Sequence, residues 1–266
     1  MTGKRITVTD FAKMKAEGKR ITVLTAYDAL TAMLLDEAGI DMILVGDSLG
    51  NVFQGRDTTL PVTLDNMIYH GEIVSRAAKH AFVTVDMPFM SFQVSVEEAV
   101  RNAGEIMKKT GCHAVKLEGG KVSARQIEGI VTAGIPVMGH VGLTPQSIHV
   151  FGGYGVRGKH NPEAVIDDAL AVQAAGAFAI VLEKMPRSLS KQITEKLDIP
   201  TIGIGAGNGC DGQVLVTEDL LGLFSKFKPS FARRYANLAD TISAAFKNYI
   251  DDTRDGSFPD ESESYD

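Results

Sequence analysis

Ala81-Phe82-Val83-Thr84-Val85-Asp86 decides how this chain is read. The five residues before the acid are apolar or β-branched, the composition of a strand covered on both faces. The run then stops on a carboxylate, and an unpaired carboxylate in a core costs several kcal/mol, so such a strand ends at a cavity. The same design recurs in Met42-Ile43-Leu44-Val45-Gly46-Asp47, Ala114-Val115-Lys116-Leu117-Glu118 and Ala179-Ile180-Val181-Leu182-Glu183. Four acids at equivalent strand ends describe one acidic pocket at one end of a parallel sheet. That pocket suits a divalent cation and an acid/base group, the equipment of an enzyme.

Outward from these runs, apolar segments alternate with amphipathic ones along the chain. Strands are expected at 21–25, 41–46, 81–86, 112–118, 135–140, 177–182, 199–204 and 213–217. Helical spacing lies between them at 28–38, 63–79, 95–109, 122–133, 161–175 and 187–197. Ser95 with Glu98 forms the signature of a capping box, and Asp28 and Gly39 bracket a helix in the expected order. Eight strands in βα alternation over 266 residues predict a (β/α)8 barrel, which typically needs about 250, ahead of an open doubly wound sheet. An N-terminal helix near 9–17 closes the barrel bottom, the segment 219–222 is a helical stub, and a further helix covers 230–250. Residues 1–250 are thus read as one domain and 251–266 as a mobile acidic tail.

Charge supports that division. The net charge is −6, and residues 251–266 carry seven acids against Arg254, so the preceding 250 residues are neutral. No basic field is available for nucleic acid. No apolar stretch spans a bilayer and the N-terminus lacks a signal-peptide core, so no membrane role is expected. The two cysteines, Cys112 and Cys210, make no disulfide framework, which fits a reducing cytoplasm.

In a barrel, strand C-termini face the active site. Asp47, Asp86, Glu118 and Glu183 fall there, and hard oxygen donors suit Mg²⁺. Any one of them alone reads better as a helix cap or ion-pair partner; four together favour function. Lys116 shares a strand face with Glu118 and needs an anion, from that glutamate or from a substrate. His140 ends its strand on the same side, as a substrate contact or a satisfied core histidine. The other five histidines show no zinc spacing. Gly203-Ile204-Gly205-Ala206-Gly207-Asn208-Gly209 reads equally as an anion-approaching turn or a tight crossing. Phe151–Lys159 reads as a flap whose Arg157 and Lys159 either meet an anionic second substrate or are solvated.

The ordered segments Leu24-Thr25-Ala26-Tyr27-Asp28, Val45-Gly46-Asp47-Ser48-Leu49-Gly50, Thr59-Leu60-Pro61-Val62-Thr63 and Asp86-Met87-Pro88-Phe89-Met90 form one set with later ones. These are Val115-Lys116-Leu117-Glu118-Gly119-Gly120, Gly139-His140-Val141-Gly142-Leu143-Thr144-Pro145-Gln146-Ser147, Phe151-Gly152-Gly153-Tyr154 and Ile202-Gly203-Ile204-Gly205-Ala206-Gly207. Over residues 5–260 this set resembles the ketopantoate hydroxymethyltransferase family. The resemblance implies a (β/α)8 TIM barrel of the phosphoenolpyruvate/pyruvate-utilising type. It implies transfer of a one-carbon unit from 5,10-methylenetetrahydrofolate to 3-methyl-2-oxobutanoate, giving 2-dehydropantoate in pantothenate synthesis. By position it implies Mg²⁺ on Asp47, Asp86 and Glu118, the ketoacid on Asp47, Ser48, Asp86 and Lys116, and Glu183 as proton acceptor. A homo-oligomer is implied as well, family members often being decamers.

Two rivals use the same residues differently. A Mg²⁺-dependent C–C lyase or phosphonomutase would act on another oxoacid. A non-catalytic barrel would hold a phosphorylated ligand on the glycine turn, against the repulsion of four acids.

Overall fold

Each of the expected strands finds its parallel neighbours, and the last returns to the first. A computed structural model describes residues 4–224 and 229–265. The strands are β1 (Ile21–Thr25), β2 (Met42–Val45), β3 (Phe82–Asp86), β4 (Ala114–Lys116), β5 (Val137–Gly142), β6 (Ala179–Glu183), β7 (Thr201–Ile204) and β8 (Gly212–Leu215). They form a closed barrel in chain order. Closure is direct: Val23 of β1 lies opposite Met42 of β2 on one side and Val214 of β8 on the other. The open-sheet arrangement is therefore excluded.

Helices Ala29–Glu37, Leu64–Ala77, Val96–Thr110, Ala124–Thr132, Pro162–Ala174 and Arg187–Lys196 fill the crossovers from β1 to β7. Their starts follow side-chain chemistry. Asp28 accepts from the Thr31 amide and Ser95 from the Glu98 amide, so each supplies an acceptor for an orphan N–H of its first turn. Between β7 and β8 there is only the glycine turn.

The period of two along each strand divides the core in two. Ile43, Val45, Val83, Val85, Val115, Ile180 and Leu182 pack outward under the helices. Val23, Met42, Leu44, Phe82, Ala114, Met138, Ala179, Val181, Ile202 and Val214 fill the barrel. Helix Val8–Ala16 seals the lower end with Phe11, whose ring meets Phe82 edge-on at 5.2 Å and lies 6.0 Å from Phe178. Strand starts at this end share one device: the residue before a strand caps an amide of the preceding strand. Thr22 N donates to Asp41 (2.9 Å), Val83 N to His113 Nδ1 (2.8 Å) and Thr201 N to Asp211 (2.9 Å).

By compactness the chain divides after Val216, into Met1–Val216 and Thr217–Asp266. The second unit holds helix Thr217–Leu221, where the stub was expected, and helix Leu238–Asp255. That second helix was expected over 230–250. It starts later because the Tyr235 amide donates to the Leu220 carbonyl and so leaves the helical ladder. It also runs past residue 251, where the tail is expected to begin, and stops at Gly256 (φ +80°). Residues 225–228, part of the stretch joining the two helices, lie outside the described residues. Among the described residues no helix is long and apolar enough to cross a membrane.

Candidate active site

The inward columns are apolar at the bottom and ionisable at the top. Phe82 and Thr84 lead to Asp86, Ala114 to Lys116 and Glu118, Met138 to His140, and Ala179 and Val181 to Glu183. A side chain two residues on returns to the same face, so the strand period itself carries these groups into the barrel mouth. On β2 the inward column ends at Gly46 instead. A Cβ there would stand 2.8 Å from Ser48 Oγ, and the bare backbone lets Asp47 and Ser48 fold over the opening.

Asp47, Asp86, Lys116, Glu118, His140 and Glu183 meet in one network, and Ser48 borders it. Asp86 Oδ1 accepts from Lys116 Nζ (2.6 Å) while its Oδ2 accepts from the Asp47 amide (3.1 Å). Ser48 Oγ is 2.8 Å from Tyr27 Oη. His140 lies between two glutamates, with Nδ1 3.7 Å from Glu118 Oε1 and Nε2 3.2 Å from Glu183 Oε2. Neither ring nitrogen has a hydrogen bond of good geometry, although the ring is buried. Asp47, Asp86, Lys116 and Glu118 are buried too, whereas the Glu183 side chain keeps 16% of its surface exposed.

Charge crowding dominates the electrostatics. Burial, then the charge of Asp86, pushes Asp47 up to about 7, against the pull of Lys116 and Gln146. Burial and Asp47 raise Glu118 well above the ordinary carboxylate value. Burial works to lower Lys116, but Asp86, Asp47 and Glu118 outweigh it, and the ammonium is held above its ordinary value. Among the described residues, no three His, Cys, Asp or Glu side chains stand close enough to hold an ion unaided. The donor set nonetheless fits Mg²⁺. A cation would relieve the repulsion between adjoining carboxylates, and Mg²⁺ completes its shell with water and substrate oxygens.

Sequence reasoning quotes Gln146 within an ordered segment but gives it no role. It sits in the turn Pro145–Ser147, and its Nε2 donates to Asp47 Oδ2 (2.9 Å) and to the Met87 carbonyl (3.0 Å). Its amide donates to Glu118 Oε2 (2.9 Å), and its Oε1 accepts from Gln93 Nε2 (3.1 Å). It thus ties two acids to one another. Tyr27, on Ser48, belongs to one of the ordered segments but had no role assigned from sequence. A glutamine in a polar loop carries no periodic signal that would find it.

The ketopantoate hydroxymethyltransferase family model matches residues 5–261. The chain belongs to this family. It is 52% identical over 265 residues to a 3-methyl-2-oxobutanoate hydroxymethyltransferase of Syntrophus aciditrophicus (strain SB), covering 99% of this chain and 97% of the relative. It is 56% identical to the protein of that name from Pelobacter propionicus, covering 98% of each. This ketopantoate hydroxymethyltransferase family member is thus an enzyme, a transferase. Solved structures add the fold alone. A 2,3-dimethylmalate lyase of the PEP mutase/isocitrate lyase superfamily aligns with TM-score 0.62 at 17% identity, covering 97% of this chain and 92% of the other. A phosphonopyruvate hydrolase aligns with TM-score 0.63 at 11% identity, covering 98% and 92%. At such identity these barrels lend the lyase and phosphonomutase rivals no argument from sequence.

Proposed function

We propose that this barrel moves the methylene carbon of 5,10-methylenetetrahydrofolate to C3 of 3-methyl-2-oxobutanoate, with water supplying the hydroxyl. The products are 2-dehydropantoate and tetrahydrofolate. One observation carries the assignment of roles: of the four strand-end acids, Glu183 alone has a carboxylate that accepts no hydrogen bond among the described residues. Asp47, Asp86 and Glu118 accept from Gln146 and Lys116, from a backbone amide, or both. The Glu183 carboxylate stands 3.2 Å from His140 Nε2.

An acid so placed is free to take a proton from C3, a weak carbon acid beside the ketone. Asp47, Asp86 and Glu118 would hold Mg²⁺, which when bound polarises the keto oxygen as a Lewis acid. Ser48 and Lys116 orient the ketoacid, the lysine adding positive charge on the side where negative charge develops. His140, whose ring nitrogens make no hydrogen bond among the described residues, offers an N–H toward the same oxygens. Both cysteines are free thiols, which supports a reducing cytoplasm as the compartment. The apolar groups Ile242, Phe246, Tyr249 and Ile250 exposed on helix Leu238–Asp255 support assembly with further copies.

The test is product formation, followed by NMR, from purified protein with Mg²⁺ and both substrates, against an EDTA control. Metal-dependent 2-dehydropantoate is expected. Folded, metal-loaded protein that makes none, yet turns over another oxoacid, would overturn the reading in favour of the lyase or mutase.

A further inference from the structure

The mouth of this barrel carries charge of two signs, and beyond Lys116 the positive one is not used by the chemistry above. Arg157, Lys184 and Arg187 stand on the rim beside Glu183, and among the described residues none of them is in an ion pair. They come from three different segments. Arg157 lies in the flap, Lys184 directly follows β6, and Arg187 opens helix Arg187–Lys196.

A backbone contact ties the first two together, and Arg187 follows Lys184 by three residues. The Arg157 amide donates to the Lys184 carbonyl (2.9 Å). Lys184 reaches that position with φ +46°, a left-handed conformation that lysine rarely adopts and that surrounding structure must enforce. The Arg157 guanidinium lies 3.8 Å above the Phe151 ring, which orients its plane and leaves its N–H edge for a partner. Arg187 packs on the glycine turn, where a Cβ at Gly207 would collide with it. In the flap itself, burial, then the charges of Glu183 and Asp47, raise the Tyr154 hydroxyl above its ordinary value.

Deeper than this arc the mouth is lined by acids, offset only where the ketoacid is held on the metal and Lys116, so a second anion stays on the rim. A ligand that suits both regions has a neutral, reactive ring at one end and carboxylates at the other. Resting on the function proposed above, we propose that Arg157, Lys184 and Arg187 form the subsite for the carboxylate-bearing glutamate tail of the folate donor. The ring end then lies toward Glu183 and the tail runs out under the flap, so longer polyglutamate tails gain contacts with the arc.

The experiment compares donors with one and three glutamates, in wild type and in Arg157→Gln/Lys184→Gln. In wild type the triglutamate should lower the donor KM about five- to tenfold at low ionic strength, an advantage that shrinks with added salt. The double variant should lose that advantage, while kcat and the KM for 3-methyl-2-oxobutanoate stay within about twofold; the single variant Arg157→Lys should keep most of it. Equal KM values for the two donors in wild type would overturn the subsite, as would an advantage that survives in the folded double variant. Binding of p-aminobenzoyl-triglutamate, read by calorimetry, tests the arc without turnover. If wild type binds it and the variant does not, the subsite stands even where 2-dehydropantoate is not the product.

Discussion

Glu183 and Gln146 do opposite things to the same acidic pocket, and replacing each should separate chemistry from architecture. Glu183→Gln keeps shape and the contact with His140 while removing the proton acceptor. It should lower kcat by about 10²–10⁴-fold, with ketoacid affinity measured by calorimetry within about twofold of wild type. An unchanged kcat would take the base role away from Glu183. Gln146→Ala removes the amide that bridges Asp47, Met87 and Gln93. Leaving those buried groups unmatched should cost about 1–3 kcal/mol of stability in a denaturant titration. The ketoacid KM should rise about tenfold, equivalent to about 1.4 kcal/mol, with a smaller change in kcat. A variant with wild-type KM would reduce Gln146 to a packing residue. The four acids are legible in the sequence because each ends an apolar run. Gln146 is not, since its importance exists only once Asp47 and Glu118, far apart in sequence, are brought to either side of it.

Elements are held in place by side chains that satisfy backbone rather than by their own propensity, and Asp36 shows it best. At the end of helix Ala29–Glu37, its Oδ1 accepts from the His80 and Ala81 amides (2.9 and 2.7 Å) and its Oδ2 from Lys79 N (3.0 Å). Burial alone would raise this carboxyl, but the amides of Ala81, His80 and Lys79 outweigh it and hold it below the ordinary value. A carboxyl whose folded pKa is depressed contributes stability that is complete above its unfolded value, near 3.8, and is lost as the pH falls through the lower folded one. Asp36→Asn should therefore lower Tm at neutral pH and narrow the gap to wild type below about pH 4. A constant gap across that acid range would show that the charge is irrelevant. Element positions are largely legible from periodicity, and the Asp28 and Ser95 caps from residue type. The short helices Leu49–Val52 and Ile148–Phe151 are not, because one turn of helix leaves no periodic trace. The late start of helix Leu238–Asp255 is equally hidden, being set by a backbone bond to Leu220.

At the scale of the molecule, stability and chemistry occupy opposite ends of one barrel. Phe11 belongs to the lower end, buried against Phe82 and Phe178, and β3 runs its whole length from Phe82 to Asp86. Phe11→Ala should cost about 3–5 kcal/mol, a Tm loss of about 2–4 °C per kcal/mol, with kcat at about 25 °C unchanged. A comparable loss of kcat in the folded variant would mean that the two ends are coupled. Eight-fold βα alternation announces this architecture in the sequence, since helices on one face and barrel packing on the other leave strands apolar throughout. The break after Val216 goes unannounced, because no shift in composition marks it.

The alternation that lifts Asp86, Lys116 and Glu183 into the mouth behaves like a reading frame. Exchanging one residue for another in β3 or β6 alters a single rung, but deleting one turns every later rung from lumen to wall. Natural drift and deliberate engineering alike are thus confined, within strands, to substitution. The segment from Gly152 to His160 belongs to no strand and sits outside that frame. Changes of length can accumulate there without disturbing the acids, which makes it the natural place to graft loops that accept a different one-carbon donor.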